Sequence, residues 1–333
     1  MIETLKSCIK IVLIVVLLCG CDGTPGDQAS SSDIEGAAGG RDSTSRGTIA
    51  LSVMTLTNPF FKVIADSMSS EAAKFGYEVL VTSAEFDVAK QQNQVKDFIV
   101  KKVSAIVLCP CDSKAIGPAI EEATRAGIPV FTADIACLAP GVEVVSHIAT
   151  DNYGGGKLAA KAMIEALGEE GGKVVVLDYK EVESCILRVK GFKEVLEAHN
   201  RTRKSGNLRI VAELPGGGVK DKGYKAAEDA LQAHPDLAGI FAINDPSALG
   251  ARAALEKAGR HDQVRIIGFD GQPEGKKAID EGRIYADPVQ FPDRIGVETV
   301  QAIVKHFRGE QVPSEILIPT ALYRRGDSSR SGN

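Results

Sequence analysis

The sequence predicts an α/β protein of two doubly wound lobes, each built on a parallel sheet. From residue 48 onward, short apolar runs rich in β-branched residues alternate with amphipathic stretches of helical spacing. This alternation is typical of parallel sheets that helices cover on both faces. The apolar runs also form two successive series along the chain, and two sheets accommodate two series of strands better than one sheet does.

Each predicted element follows from its local pattern. After the first strand, Val63, Ile64, Met68, Ala72 and Phe75 recur at helical spacing, which predicts a helix that begins near Pro59. The predicted strands are 49–54, 78–83, 105–110, 129–134 and 144–150, then 173–179, 208–214, 239–245 and 264–270. Further helices are predicted at 87–102, 113–126, 154–168, 220–233 and 246–258. The segment 152–157 is expected to cross between the lobes, and strands near 285–290 and 314–319 to cross back.

The N-terminus has the features of a processing signal. Two lysines flank a start that leads into the apolar run 11–18, which is too short to span a bilayer as a helix. The tetrapeptide LCGC (18–21) resembles a bacterial lipobox, which predicts a lipoprotein signal peptide at 1–20 and lipidation of Cys21. The alternative is an ordinary secretory signal with an incidental cysteine. The Gly- and Ser-rich segment 21–46 is predicted to be a flexible tether that holds the folded body at the periplasmic or cell-surface side of a membrane.

Composition excludes some functions. The net charge is −5 over 333 residues, which argues against a nucleic-acid-binding surface, because such surfaces need clustered Lys and Arg. Cys109 and Cys111 are separated by one residue and have no nearby histidine, so no zinc or redox motif is present, and we expect no metal and no cofactor. Small buried residues are the favoured interpretation of these cysteines. A disulfide between Cys111 and Cys137 is the alternative.

Polar and aromatic side chains follow the strands, where an open α/β sheet places its functional residues. An Asp or Asn at such a point could simply cap the next helix, and Asp245, followed by Pro246, is predicted to be such a cap. Capping does not explain the Arg, the Gln and the two Phe. Carboxylates, amides and a guanidinium beside Phe rings suit a neutral polyhydroxylated ligand. The predicted ligand-binding residues are Asn58, Phe60, Phe61, Asp134, Arg188, Asn244, Asp270 and Gln290.

Enzyme motifs are absent from the sequence. No GxGxxG follows the first strand, and GGGK (154–157) lacks both the first glycine and the final Ser/Thr of a phosphate-binding loop. The sequence also contains no GxSxG and no HExxH, and its five histidines are scattered. We therefore expect a binding protein and not an enzyme.

Residues 48 to 323 resemble the ribose-binding type of periplasmic sugar-binding protein, the extracytoplasmic receptor of an ABC transporter. The matching runs are IALSVMTLTNPFF (49–61), VVSHIATDN (144–152), LQAHPDLAGIFAINDPSALGA (231–251), IIGFDGQPEGKKAIDEGR (266–283) and QFPDRIG (290–296). The resemblance implies a type I periplasmic binding protein fold, with lobes of 47–150 plus 291–318 and 151–290 plus 319–327 joined by a three-strand hinge. It further implies a monomer that delivers a sugar or polyol to an ABC permease and its ATPase. A sugar-sensing receptor of the same fold, presenting ligand to a membrane signalling protein, is the alternative.

The resemblance also carries over the eight predicted ligand-binding residues, and it identifies four departures among candidate pocket-lining positions. Met54 stands where the ribose receptors have a serine, and Cys109 where they have an asparagine. Ile135 replaces an arginine directly after the aspartate, and Gly218 replaces a third phenylalanine that closes over the sugar. Lost polar and ring contacts change discrimination between close analogues. A guest that differs from ribose or is larger than ribose is therefore expected.

Overall fold

The computed structural model describes residues 45–327. The predicted signal peptide, Cys21 and nearly all of the predicted tether lie outside the described residues. Within the described part of the chain, no helix is long and apolar enough to cross a bilayer.

Twelve strands and nine helices occur within residues 45–327. The strands are β1 Gly47–Val53, β2 Tyr77–Ser83, β3 Ala105–Leu108, β4 Val130–Ala133, β5 Ser146–Thr150, β6 Gly172–Asp178, β7 Leu208–Pro215, β8 Leu237–Ala242, β9 Arg265–Ile267, β10 Ala286–Val289, β11 Glu315–Ile318 and β12 Ala321–Arg324. The helices are α1 Pro59–Ala73, α2 Val88–Val100, α3 Gly117–Arg125, α4 Asn152–Leu167, α5 Glu183–Arg201, α6 Lys220–Ala233, α7 Asp245–Lys257, α8 Pro273–Asp280 and α9 Pro292–Phe307.

The first sheet has the order β11-β5-β4-β3-β1-β2, and all its strands are parallel. Side chains alternate between its two faces, so Ile49 and Leu51 pack under α1 and α9, while Ala50 packs under α2 and α3. Because helices cover both faces, these strands are apolar on both sides, as the continuous apolar runs predict.

The second sheet has the order β12-β10-β9-β8-β6-β7. Its strands are parallel except β12, which pairs antiparallel with β10. Val174 and Val176 share a core with α4 and α5, and Val175 and Leu177 share one with α6, α7 and α8. The sheet is therefore doubly wound as predicted, with one antiparallel edge strand that the prediction of parallel sheets did not include.

The chain passes between the two sheets at three places. The crossings lie between β5 and α4, between β10 and α9, and between β11 and β12. Two doubly wound sheets joined by three crossings confirm the predicted fold class. Since parallel strands in each sheet point the same way, each sheet gathers its carboxyl ends at one edge.

Several predicted boundaries differ from the observed ones for local reasons. The predicted helix at 113–126 begins only at Gly117, because the Asp112 carboxylate accepts the backbone N–H groups of Lys114 and Ala115 and holds a turn there. The predicted strand 129–134 ends at Ala133, since Asp134 adopts a left-handed φ of 66° that no strand can continue.

The cysteines of the folded body are all free thiols. Cys111 and Cys137, the partners of the alternative disulfide, do not form one, and Cys109 and Cys185 are also free. Burial raises the pKa of Cys111 and that of Cys185 to about 12. These buried thiols therefore behave as small apolar side chains, which agrees with the favoured interpretation of the Cys109–Cys111 pair.

Candidate ligand-binding cleft

A cavity of about 50 Å³ lies between the carboxyl ends of the two sheets. All eight predicted ligand-binding residues line it, and so do Met54, Ile135 and Gly218. Cys109 is fully buried and is not among the lining residues. Its backbone oxygen accepts from the Gln91 side chain at 3.0 Å on the lobe's interior.

The prediction missed six residues that also line the cavity. One of them, Phe86, follows β2 and has a left-handed φ of 61°. Four others lie after β6 and in the first turns of α5, so the rule that singled out residues after strand ends could have found them. The six are Phe86, Tyr179, Val182, Ser184, Cys185 and Ile243.

The start of α1 carries the two adjacent phenylalanines. Asn58 is the N-cap, and its Oδ1 accepts the backbone N–H of Phe60 at 3.0 Å. Pro59 occupies the first turn, as predicted. The rings of Phe60 and Phe61 pack edge to face, with centroids 5.4 Å apart, and both are about 5% exposed or less. Capping uses the Asn58 oxygen, so its amide nitrogen is the group left to face the cavity.

Arg188 is buried at the floor of the cavity. Its Nε donates to Asn152 Oδ1 at 2.8 Å, and Nη1 donates to the Ile243 carbonyl at 2.7 Å. The guanidinium also lies 3.9 Å from the Phe269 ring centroid, in a cation–π contact. These contacts fix a long side chain in one conformation before any ligand arrives.

Glycines in α4 and α5 allow this placement. A side chain at Gly156 would overlap the carbonyl oxygen of Arg188, and one at Gly191 would overlap that of Tyr153. A side chain at Gly155 would overlap the Phe269 ring. The run GGG (154–156), which resembles a phosphate-binding loop only in part, thus lets two helices approach closely and sets the position of Arg188.

Asp270 is the centre of a buried hydrogen-bond network. Its Oδ1 accepts from Gln290 Nε2 at 2.6 Å and from Arg188 Nη1 at 3.4 Å, and its Oδ2 accepts from Gln272 Nε2 at 3.0 Å. Thr150 donates to the other end of Gln290 at 2.7 Å. Burial raises the pKa of Asp270, and the positive charge of Arg188 opposes that shift. The residue also has a φ of 104°, a strained conformation for a non-glycine residue.

Asp134 lines the cavity with a buried carboxyl group. Its backbone N–H donates to the Ile148 carbonyl at 2.8 Å, and the side chain is only 4% exposed. Among the described residues, its Oδ1 has no hydrogen-bond partner. Burial raises the pKa of Asp134 to about 7, Arg188 opposes this, and the negative charge of Asp270 adds to it. The Oδ1 oxygen is available to accept a hydrogen bond from outside the protein.

The cap of α7 is Asn244, and the prediction that Asp245 is the cap was wrong. Asn244 Oδ1 accepts the N–H of Ser247 at 3.0 Å, and its Nδ2 donates to the Gly218 carbonyl at 3.0 Å. Asp245 lies one residue inside the helix and is buried beside Asp287, so its carboxylate accepts the Gln272 N–H instead. Burial raises the pKa of both Asp245 and Asp287. The charge of Asp287 raises the pKa of Asp245 further, whereas hydrogen bonding with Asp245 lowers that of Asp287.

A second, larger cavity of about 440 Å³ adjoins the first on its outer side. The two share Asn58, Phe86 and Gly218 as lining residues. A β-carbon built at Gly218 would have only two near neighbours, Asn244 Nδ2 at 3.4 Å and a Tyr179 ring carbon at 3.7 Å. Gly218 therefore lines both cavities without placing a side chain between them.

The two lobes touch beside the cavity. The backbone N–H of Ser113, from the first lobe, donates to the Glu181 carbonyl of the second lobe at 2.9 Å. Ser113 Oγ in turn accepts the N–H of Glu183 at 2.9 Å. These bonds lie away from the three crossings of the chain and hold the lobes together over the inner cavity.

The chemistry of this site is that of a hydrogen-bonding pocket with aromatic walls. No group of three or more His, Cys, Asp or Glu that could hold a metal ion occurs between residues 45 and 327. One space is surrounded by hydrogen-bond acceptors from Asp134 and Asp270, donors from Arg188 and Asn58, and the two Phe rings. Such a set matches a ring-shaped polyol, whose hydroxyl groups both donate and accept and whose C–H faces pack on aromatic rings.

Known proteins share this architecture and much of this sequence. Residues 49–311 match the family of the periplasmic binding protein domain. The chain is 38% identical to the ribose import binding protein of Escherichia coli over 276 residues, which cover 83% of this chain and 90% of that protein. It is 32% identical to the D-apiose import binding protein of Paraburkholderia graminis over 284 residues, 85% of this chain and 88% of that protein.

Solved structures extend the comparison. An ABC transporter periplasmic solute binding protein from Actinobacillus succinogenes, crystallised with bound D-allose, superimposes with a TM-score of 0.77 at 27% identity. The match covers 86% of this chain and all of that one. The sugars named for these three proteins are different.

Proposed function

Since this chain belongs to the periplasmic binding protein family, as its sequence resemblance predicts, we propose that it binds a sugar or related polyol in the interlobe cleft and delivers it to an ABC importer. Its partners are then the membrane permease and the ATPase of that importer. Relatives that span most of this chain are sugar import binding proteins. Because each alignment covers most of this chain and most of the relative, the comparison supports transfer of the general role.

One observation carries the proposal for the site. Eight residues from six separate segments, predicted from the sequence as ligand-binding, meet around one buried cavity. In our proposal Asp134 and Asp270 accept hydrogen bonds from ligand hydroxyls, Arg188 and Asn58 donate, and Phe60 with Phe61 packs on the ring. The Oδ1 of Asp134 is the strongest support, since no residue from 45 to 327 donates to it.

The geometry favours a guest other than ribose. Ile135 lines the cavity next to Asp134 and offers no hydrogen bond, and Met54 adds another apolar wall. The inner cavity, at about 50 Å³, has room for only a few water-sized groups. We propose that the guest extends past Gly218, which has no side chain, into the outer cavity of about 440 Å³. A substituted or larger sugar meets both conditions.

We further propose that the protein works as a monomer held at the membrane by lipid on Cys21. The lobes would be 47–150 plus 291–318 and 151–290 plus 319–327, moving about the three crossings. Ligand contacts to both lobes would favour the closed arrangement. The lipobox-like LCGC supports the anchor.

The test is a binding panel with the full chain. D-ribose, D-allose, D-apiose and myo-inositol, together with disaccharides, are added singly, and thermal unfolding and titration calorimetry are measured. A ligand at 1,000 times its Kd stabilises a protein by about 4.1 kcal/mol. An increase in melting temperature of several degrees is therefore expected for at least one member of the panel. If no sugar or polyol shifts the melting temperature, the proposed ligand class is wrong.

Asp270→Asn tests the site itself. An amide can accept on only one side, so the charged hydrogen bonds from Arg188 and Gln290 to Oδ1 and the one from Gln272 to Oδ2 cannot all be kept. Each hydrogen bond to a charged group contributes about 1.5–3 kcal/mol. Sugar affinity should fall at least 10-fold, whereas the exposed Asp66→Asn control should leave it unchanged. Equal affinity of Asp270→Asn and the wild type would remove Asp270 from the site.

A further inference from the structure

A third cavity, rich in arginine, lies at the opposite edge of the second sheet. Its volume is about 410 Å³. Arg265 stands at the first residue of β9, and Arg324 ends β12, whose antiparallel pairing places Arg324 beside Ala286 at the amino end of β10. The cavity therefore lies at the amino edge of the sheet, and the sugar cleft lies at the carboxyl edge.

Five of the sixteen arginines in the sequence line this one cavity. They come from different segments of the chain: α7, β9, the turn after α8, and the end of β12. The chain as a whole is acidic, with a net charge of −5, so this local concentration of positive charge runs against the overall balance. The five are Arg252, Arg265, Arg283, Arg324 and Arg325.

Carboxylates neutralise only some of these guanidinium groups. Arg324 pairs with Glu165 at 2.6 Å, and both Arg252 and Arg283 bond to Glu256, at 2.8 and 3.1 Å. Arg252 also donates to the His261 and Arg283 carbonyls, which makes it a structural residue.

The remaining two arginines are unpaired. Among residues 45–327, neither Arg265 nor Arg325 makes an ion pair or a side-chain hydrogen bond, and both are exposed. Arg325 Nη1 lies over Gly282, 3.2 Å from the point where a β-carbon would be. Two free guanidinium groups thus face one concave surface.

The sheet geometry lets the two free arginines act on one ligand. Arg265 is on β9 and Arg325 directly follows β12, with β10 between these strands. Neighbouring strands lie about 4.8 Å apart, so the two backbones are separated by about 10 Å. Both long side chains can reach a group held between them. Buried Ile266, Ile279 and Ile284 form the floor beneath, and a floor of low polarity strengthens interactions between charges above it.

We propose that this arginine cavity binds a phosphate-bearing anion. A planar guanidinium bonds a phosphate through two parallel N–H groups, and a phosphate has enough acceptor oxygens for both Arg265 and Arg325 at once. The phosphate comes either from a soluble phosphate compound or from the headgroup of an anionic lipid. The site is independent of sugar binding, because it lies at the other edge of the sheet.

Calorimetric titration of the full chain with inorganic phosphate at low ionic strength tests this proposal. The double variant Arg265→Ser/Arg325→Ser should bind phosphate at least 10-fold more weakly than the wild type, since it loses two charged contacts. The control Arg201→Ser/Arg209→Ser removes two exposed arginines elsewhere on the same lobe and should bind like the wild type. All three should keep the same melting temperature and the same sugar affinity. Failure of the wild type to bind phosphate, or equal weakening in both double variants, would overturn the proposal.

A vesicle experiment separates the two sources. The full chain and Arg265→Ser/Arg325→Ser are each sedimented with phosphatidylglycerol vesicles and with phosphatidylcholine vesicles. Both proteins carry the same N-terminal segment, so the comparison between them cancels its contribution. A preference for phosphatidylglycerol that Arg265→Ser/Arg325→Ser abolishes identifies a lipid headgroup. Phosphate binding without that preference identifies a soluble phosphate compound.

Discussion

Asp134→Asn should stabilise the ligand-free protein at alkaline pH while it removes sugar binding. Burial raises the pKa of Asp134 from 3.8 to about 7. Between these two values the folded state binds more protons than the unfolded state. The free energy of unfolding contributed by Asp134 therefore falls as the pH rises through this window, and it stays low above pH 7. An amide at this position does not ionise, so the variant does not lose this free energy of unfolding as the pH rises.

The magnitude follows from the size of the shift. A change of about three pKa units corresponds to about 4 kcal/mol, because one unit is 1.36 kcal/mol. Burying an amide without a hydrogen-bond partner costs about 1–3 kcal/mol, which offsets part of this gain in unfolding free energy. Asparagine tolerates the left-handed φ of 66° at this position, so backbone strain adds no further cost. A net gain of about 1–3 kcal/mol at pH 8 is expected.

The assay is thermal unfolding of the full chain without ligand at pH 5 and pH 8. The variant should melt roughly 3–9 °C above the wild type at pH 8 and within about 2 °C of it at pH 5. Asp66→Asn removes one carboxylate from an exposed position and should show no such pH-dependent difference. If the melting temperatures of the variant and the wild type differ by the same amount at both pH values, the inference of a buried, ionised Asp134 is refuted.

Two other predictions follow from the same geometry. A ligand hydroxyl that donates to Asp134 favours the ionised carboxylate and lowers its pKa on binding, so sugar affinity measured by calorimetry should weaken by about 10-fold or more from pH 8 to pH 5; a flat profile would contradict this role. Gly156→Ala forces a methyl group against the Arg188 carbonyl. It should lower the free energy of unfolding by about 1–3 kcal/mol and weaken sugar affinity. Lys161→Ala, on the exposed side of the same helix, is the control, and equal effects of the two changes would argue against close helix packing as the cause.

The sequence alone determined the fold class and most of the candidate site. Apolar periodicity and β-branched runs are local properties, and they predict parallel strands between helices wherever they occur. Because parallel strands end at a common edge, residues after the strands could be grouped as neighbours without any distance. This reasoning placed Asn58, Asp134, Asn244 and Asp270 around one cavity, which they do line. Their role in binding stays a prediction.

Tertiary packing decided what local pattern leaves open. Asn244 and Asp245 both suit a helix cap by type. In the folded chain Asn244 is the cap, while Asp245 is buried beside Asp287. The antiparallel direction of β12 is set by pairing with β10 and not by its own four residues.

The sequence alone also could not predict the distances between segments that are remote along the chain. Five arginines from four segments line one cavity, and the neighbouring strands β9, β10 and β12 bring Arg265 close to Arg324 and Arg325. The pKa of Asp134 depends on burial and on the charge of Arg188, 54 residues further along the chain. Local sequence specifies hydrogen-bonding periodicity and the hydrophobic faces. The packing of those faces across the whole chain sets which charges meet, how deeply they are buried, and therefore what they can bind.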